Sequence, residues 1–231
     1  CSKKKIILMT AFAQGRYQEL MYLIRKLKEE GKIPKDYPIK VDGKTGIDYT
    51  FRYLSNSNII KFKPEAINFF PENLQFLDDK TRPGIINSSE PKIIISTAGM
   101  GSNGPAKEYI KKLLPNENAV IYFPGYTSEG TIGRRVFETK HGEPVVINGK
   151  EFIKRATVLQ TLEFSSHATA DVLIDFLMMF APRAVLFNHG TLECKEAMVE
   201  RAKKELGYKD KNVGILGNGF VYRINQYGID K

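Results

Sequence analysis

Apolar positions along this chain fall into short runs that alternate with longer amphipathic stretches. Lys5 to Thr10 is β-rich and leads through a polar turn at Gln14-Gly15-Arg16 into an amphipathic stretch from Tyr17 to about Glu30, closed by Gly31. The same unit recurs. Lys92 to Ser96 passes through residues 97–105 into Ala106 to Leu114, and Ala119 to Phe123 passes through Gly125 to Gly130 towards Thr131 to Phe137. Thr157 to Phe164 reaches His167 and a helical pattern over Asp171 to Phe180, and Ala184 to Asn188 reaches His189 and another over Glu193 to Leu206. Strands alternating with helices predict an α/β fold, a mainly parallel sheet flanked by helices on both faces.

Two segments depart from this rhythm. From Tyr37 to Pro91 the pattern weakens, with Pro64, Pro71, Pro83 and many Asn and Ser residues, which predicts short helices and loops. Between Val145-Val146-Ile147 and Glu151-Phe152, Asn148-Gly149 predicts a hairpin, because that pair suits the positive φ angles of a two-residue turn. His141 lies on the approach to this hairpin and is assigned no chemistry. The tail predicts two short strands, Gly214-Ile215-Leu216 and Phe220 to Ile224, around Gly217-Asn218-Gly219. No internal repeat is evident.

Composition narrows the class without deciding it. A chain of 231 residues with 42% hydrophobic and 26% charged residues is ordinary globular material, enough for one large domain or two small ones. The apolar stretch from Val172 to Ala181 is broken by Asp175 and too short for a bilayer, and Cys1-Ser2-Lys3-Lys4-Lys5 carries no secretory core. Two cysteines, Cys1 and Cys194, make neither a disulfide framework nor a zinc-ribbon spacing. These features predict a soluble, cytoplasmic protein with no membrane partner. The chain has no initiator Met and begins almost inside its first strand, which fits an upstream segment removed or carried on another polypeptide.

The net charge of +9 makes polyanions plausible partners. The basic residues are spread, however, with Arg25, Lys26 and Lys28, and Arg201, Lys203 and Lys204, on helix faces where solvated surface explains them equally well.

Candidate chemistry sits in the loops. Two of three histidines share a setting, each between an apolar run and a helical pattern: Phe164-Ser165-Ser166-His167-Ala168 and Phe187-Asn188-His189-Gly190. In open α/β sheets ligands collect beyond the carboxyl ends of strands, so such residues are placed to meet substrate, although either could instead cap the next helix or satisfy a carbonyl. Ser96 and the loop through Gly99, Gly101, Ser102 and Gly104 let backbone N–H groups approach an anion at a helix start, without matching a P-loop or a dinucleotide fingerprint. A second loop, Gly125 to Arg135, offers the Tyr126 ring for stacking, the Ser128 and Thr131 hydroxyls, Glu129, Gly130 and the guanidinium of Arg134, or else a tight turn before a solvated helix.

Taken in order, Ala11 to Leu20, Ser96 to Pro105, Gly125 to Arg134, Phe164 to His167 and Asn188-His189-Gly190 resemble the β-CASP branch of the metallo-β-lactamase fold, which includes RNA-cleaving enzymes. The resemblance covers most of the chain and is weakest from about Tyr37 to Pro91. It implies that residues 1–163 are a β-CASP-like domain, inserted in a lactamase fold, and that residues 164–231 are the carboxy-terminal part of an αββα metallo-β-lactamase domain. By the same resemblance His167 lies at the active site beside the scissile phosphate, and His189 ligates one of two zinc ions (Zn2+). Ser96, Gly99, Gly101, Ser102, Gly104, Tyr126, Ser128, Glu129, Gly130, Thr131, Arg134, Ser165 and Ser166 would line the RNA channel. The implied activity is zinc-dependent hydrolysis of RNA phosphodiesters.

The chain departs from the family pattern in ways that matter. The upstream His-x-His-x-Asp-His cluster and the remaining metal ligands do not occur in it, and Thr169 stands where the family often has an acid two residues after the first of these histidines. The site is therefore expected to be incomplete and this chain inactive alone, completed by an amino-terminal metallo-β-lactamase half on the same or a separate chain. The alternative is a non-catalytic RNA-binding module of the same fold. A flavodoxin-like small-ligand enzyme would explain the rhythm but none of the ordered motifs. The sequence leaves a homo-oligomer open.

Overall fold

The computed structural model describes residues 5–164, 167–225 and 227–230. They divide into two compact units, residues 1–165 and 166–231. Among the described residues no helix is long and apolar enough to cross a membrane.

The first unit is built on a six-stranded parallel sheet. Its strands are β1 (Ile6–Thr10), β2 (Ile39–Asp42), β3 (Leu74–Phe76), β4 (Lys92–Ser96), β5 (Ala119–Phe123) and, after the hairpin of β6 (Pro144–Ile147) and β7 (Lys150–Ile153), β8 (Thr157–Gln160). The spatial order is β3-β2-β4-β1-β5-β8, so β4 is inserted between the first two strands. Its sequence, Lys-Ile-Ile-Ile-Ser, is buried at every position, as expected of a central parallel strand covered on both faces. Alternation sorts the three isoleucines. Ile94 joins Leu8, Ile110, Ile121 and Phe123 on one face, whereas Ile93 and Ile95 join Tyr17, Leu20, Ile24 and Val41 on the other.

Helices close both layers. On the face of Ile93 and Ile95 lie α1 (Arg16–Glu29) and α2 (Lys44–Ser55); on the opposite face lie α3 (Arg82–Asn87), α4 (Gly104–Leu113) and α5 (Ile132–Glu138). Gln18, buried on α1, donates to the Gly46 carbonyl (3.3 Å) and to the Thr50 hydroxyl (2.9 Å), fixing α2 against α1. The mainly parallel α/β architecture agrees with the strand and helix rhythm of the sequence. The hairpin does too: Asn148 and Gly149 both have positive φ, 51° and 74°.

The stretch from Tyr37 to Pro91 corrects the sequence reading. It contains two strands of the main sheet, β2 and β3, and the twelve-residue α2, not only short helices and loops. Both strands are too short to show a period, and Gly43 and Gly46 flank or interrupt the helical pattern of α2. The basic charge also needs rereading. Lys28 is an internal clamp, its ammonium donating to the carbonyls of Lys35, Tyr37 and Glu72 at 2.7–2.9 Å, and burial pulls its pKa down. Lys154 clamps the Phe137 and Thr139 carbonyls in the same way.

At the carboxyl end of the sheet, register sets three polar residues side by side: Thr10, Ser96 and Asp42. All three are buried. Asp42 is held by Arg82, whose Nε and Nη2 donate to the two carboxylate oxygens at 2.7 and 2.9 Å, and by the Tyr109 hydroxyl at 2.8 Å. The carboxylate in turn holds the Arg82 guanidinium above its usual range. Burial, with Asp42 beside it, pushes the Tyr109 hydroxyl far above an ordinary phenol.

The second unit is smaller. Two parallel strands, β9 (Val185–Phe187) and β10 (Val213–Ile215), pack with α6 (Ala170–Phe180) and α7 (Leu192–Leu206) around Val185, Ala202 and Val213. The tail departs from expectation: Arg223–Asn225 (β11) pairs antiparallel with Gly228–Asp230 (β12), and neither joins β10. In α6 only Ile174 is buried, while Val172, Phe176, Met178, Met179 and Phe180 are all more than half exposed. Asp171 and Asp175 give α6 one polar stripe, and the remaining exposed positions form a contiguous apolar patch.

Removing the guanidinium in Arg82→Met leaves a buried carboxylate without its counter-charge, a loss of about 3–5 kcal/mol. Urea unfolding followed by circular dichroism checks this; a midpoint equal to that of the unsubstituted chain would show that Asp42 is neutralised by something else.

Candidate nucleic-acid site

Because every strand of the main sheet runs the same way, the segments following β1, β4 and β5 meet at one edge. Hydrogen bonds lock them together. The Thr10 hydroxyl donates to the Gly99 carbonyl (2.7 Å), the Gly133 amide to the Met100 carbonyl (2.9 Å), and the Ile132 amide to the Ser102 hydroxyl (3.0 Å). The Arg16 guanidinium donates to the Pro124 carbonyl, and the Gln160 amide reaches the Gly125 carbonyl (2.8 Å) and the Thr127 hydroxyl (3.1 Å). Two glycines permit this closeness. A Cβ on Gly101 would lie 2.4 Å from Ile110 Cδ1, and one on Gly133 would lie 2.7 Å from the Met100 carbonyl oxygen.

This framework sorts the candidate residues of the first unit. Ser96 is fully buried with its hydroxyl near the Thr97 carbonyl (3.3 Å), so its side chain is out of reach of any ligand at the surface. Gly101 is buried, and the Ser102 hydroxyl is spent on the Ile132 amide. Thr131 caps α5, its hydroxyl donating to the Ser128 carbonyl and accepting from the Arg134 amide. Arg134 is part-buried, with Nε 2.7 Å from a Glu138 carboxylate oxygen, and does not stand free as a pure anion ligand. Tyr126, Glu129, Gly130 and Gly104 are exposed, and Gly99 and Ser128 are partly so. Of the framework residues, Thr10 and Gln160 lie outside the candidate motifs, while Arg16 and Gly133 lie inside them without an assigned role. Phe12, an exposed ring beside Gly99 and two residues past the end of β1, adds to this framework from within the Ala11 to Leu20 motif, where sequence reasoning assigns it no role of its own.

The second unit brings its two histidines together. The rings of His167 and His189 stack with centroids 5.4 Å apart and planes within 8°. Their local settings match: each lies two residues before a threonine that caps a helix, Thr169 accepting from the Val172 amide at the start of α6 and Thr191 from the Cys194 amide at the start of α7. Thr169, noted in the sequence for standing where an acid was expected, is thus the cap of α6. His189 follows β9 closely and takes a left-handed backbone with φ 50°, a conformation costing a non-glycine residue about 1–3 kcal/mol. His167 does not end a strand; β8 stops at Gln160. Ser165 and Ser166 lie outside the described residues.

Zinc takes three or four protein ligands in most sites. Among the described residues no group of three or more His, Cys, Asp or Glu side chains could hold a metal ion. His189 offers one imidazole, so the residues present do not by themselves fit a zinc centre.

Residues 17–136, more than half of the chain, match the family model described as the Beta-Casp domain. The chain belongs to the β-CASP family of the metallo-β-lactamase fold. Residues 153–213 match a second family model, described as the Zn-dependent metallo-hydrolase RNA specificity domain. Similar proteins include the transcription termination factor FttA of Pyrococcus abyssi, 35% identical over 80% of this chain and 30% of that protein. Others are an RNase J-like protein of Methanocaldococcus jannaschii, 30% identical over 80% of this chain and 42% of that protein, and an Integrator complex subunit 11 homolog of Dictyostelium discoideum, 28% identical over 87% and 28%. The chain spans about a third of the length of the transcription termination factors it matches. For the β-CASP unit, the loops at the carboxyl edge fall inside or directly before the matched segment, and both histidines fall inside the second one.

Within the loop framework, Gly133→Ala drives a methyl into the Met100 carbonyl and should destabilise the first unit by about 1–3 kcal/mol. Gly125→Ala, whose added Cβ meets nothing within 4 Å, should stay within about 0.5 kcal/mol of the parent. Thermal melts of the pair check both values, and equal melting temperatures would mean that the two loops are not in contact.

Proposed function

We propose that this chain supplies the RNA-holding loops and the phosphate-side histidine of a zinc-dependent ribonuclease, completed by an amino-terminal metal-binding half. The observation that carries the reading is the stacked pair His167 and His189, presented side by side from the starts of two helices. The relatives support it. One is named as RNase J-like, another as a transcription termination factor, and the second family model as a metallo-hydrolase domain with RNA specificity.

In this reading residues 1–163 form the β-CASP domain and residues 164–231 close the lactamase domain. RNA lies along the carboxyl edge of the first unit. Phe12 and Tyr126 offer rings for bases, and the exposed backbone around Gly99, Gly104 and Gly130 offers amides to phosphates. His167 acts on the scissile phosphate, stabilising or protonating the departing oxygen, a role worth about 10²–10⁴ in rate. His189 serves as a metal ligand, and the completing half brings the others. The contiguous apolar patch of Val172, Phe176, Met179 and Phe180 on α6 supports a missing neighbour, since exposed patches of this kind mark interaction surfaces. The protein works in the cytoplasm, with RNA as its partner.

A second reading, a non-catalytic RNA-binding module, is favoured by one observation: the described residues hold no metal-binding group. One experiment separates the two. Zinc content and RNA cleavage are measured for this chain alone and with an amino-terminal half carrying a His-x-His-x-Asp-His motif. The expected result is cleavage and two bound zinc ions only in the combined sample, zinc loss in His189→Ala, and retained zinc with cleavage lowered about 10²–10⁴ in His167→Ala. RNA binding without cleavage in every sample would establish the binding module instead.

A further inference from the structure

The helix α2 carries Tyr49, Arg52 and Tyr53 at i, i+3 and i+4, with Asn56 capping the same stripe one turn on. Together with Gln14, from the loop after β1, and Ile60 they line an open cleft. The cleft lies within the first unit, and Gln14, which falls in the Ala11 to Leu20 motif, ties it to the loop after β1.

Each wall has its own chemistry. The Arg52 guanidinium is exposed and has no acidic partner among the described residues, unlike Arg16, Arg25, Arg82 and Arg134, each of which has one. Tyr53 is backed by the Phe62 ring, 6.2 Å between centroids, which fixes one aromatic wall. The Asn56 side-chain amide donates to the Arg52 carbonyl at 2.8 Å, leaving its oxygen as an acceptor, and the Gln14 amide is exposed. The base of the stripe is rigid, because Gln18 and Thr50 join α1 and α2 beneath it. Two phenol rings, a free guanidinium and two amides around one cleft match a single nucleotide. A base stacks on a tyrosine, its edge meets an amide, and its phosphate meets Arg52.

We propose that this cleft is a nucleotide subsite that holds one unpaired residue of single-stranded RNA, upstream or downstream of the loops already described. The subsite rests on the proposed RNA-binding function and extends the bound strand from the glycine loops to α2. Because stacking recognises any base face, it contributes affinity and little sequence preference.

The test uses the full chain and a fluorescein-labelled oligoadenylate, read by anisotropy, with circular dichroism to confirm that each variant folds. Tyr49→Leu and Arg52→Gln should each weaken binding by about tenfold, the scale of one lost stacked base or charged contact. Arg52→Gln should also flatten the salt dependence, whereas Tyr49→Leu should leave its slope unchanged. With 4-thiouridine RNA, photo-crosslinks should map to Tyr49 or Tyr53 as well as to the Tyr126 loop. Crosslinks confined to Tyr126, with both α2 variants binding normally, would overturn the subsite and leave the RNA function standing. A chain that binds no RNA in any form would overturn both. Normal RNA binding by both α2 variants, joined to retention of a peptide that Tyr49→Leu releases, would assign the cleft to protein recognition and end the nucleotide proposal.

Discussion

The bidentate contact between Arg82 and Asp42 closes the carboxyl end of the sheet, and much of the surrounding geometry follows from it. A carboxylate buried between parallel strands is tolerable only when paired and fully hydrogen-bonded. Here the pairing draws α3 towards the end of β2, and the Tyr109 hydroxyl draws α4 to the same point. The backbone carbonyl of Asp42 then receives the Thr97 amide, which sets where the chain leaves β4. From there the bonds of Gly99, Met100 and Ser102 to Thr10, Gly133 and Ile132 carry the order across to the next loops. Rigid loops on a rigid sheet can present backbone amides to a phosphate without first having to order themselves.

Both units begin helices on threonine caps, Thr131 in the first and Thr169 and Thr191 in the second. In the second unit the helix caps do the positioning: Thr169 and Thr191 define where α6 and α7 begin, and the histidines stand two residues ahead of those caps. The repeated His-x-Thr spacing was in the sequence all along, but its meaning depends on knowing that helices start there. Under the proposed function, this arrangement separates labour between holding RNA on a parallel sheet edge and acting on its phosphate from paired helix starts.

Legibility in the sequence followed the physics of each segment. The buried strands β1, β4 and β5, the amphipathic α1, α4 and α7, and the Asn148-Gly149 turn all carry local signals that survive into the fold. β2 and β3 do not, because four and three residues cannot display a period and their identity comes from partners far along the chain. Among candidate site residues, exposure was the property that could not be read: Tyr126 lies open, while Ser96, of equally suggestive placement, is sealed inside the sheet. The contacts of Gln160 and Arg16 could not be read either, since they join residues more than thirty and more than a hundred positions apart.

The insertion of β4 between β1 and β2 also has a consequence in time. As the chain is synthesised, β1, α1, β2 and α2 appear before β4, yet β1 and β2 are not neighbours in the sheet and gain their shared partner only when Lys92–Ser96 is made. Pairings of such long sequence separation are slow, since loop closure must precede the contacts that reward it. The early segment therefore emerges with its apolar faces uncovered, Tyr17, Leu20, Ile39 and Val41 among them, and waits for three isoleucines to arrive. β4 thus joins two segments made before it, and a pause in translation ahead of it prolongs their exposure to aggregation or to chaperones.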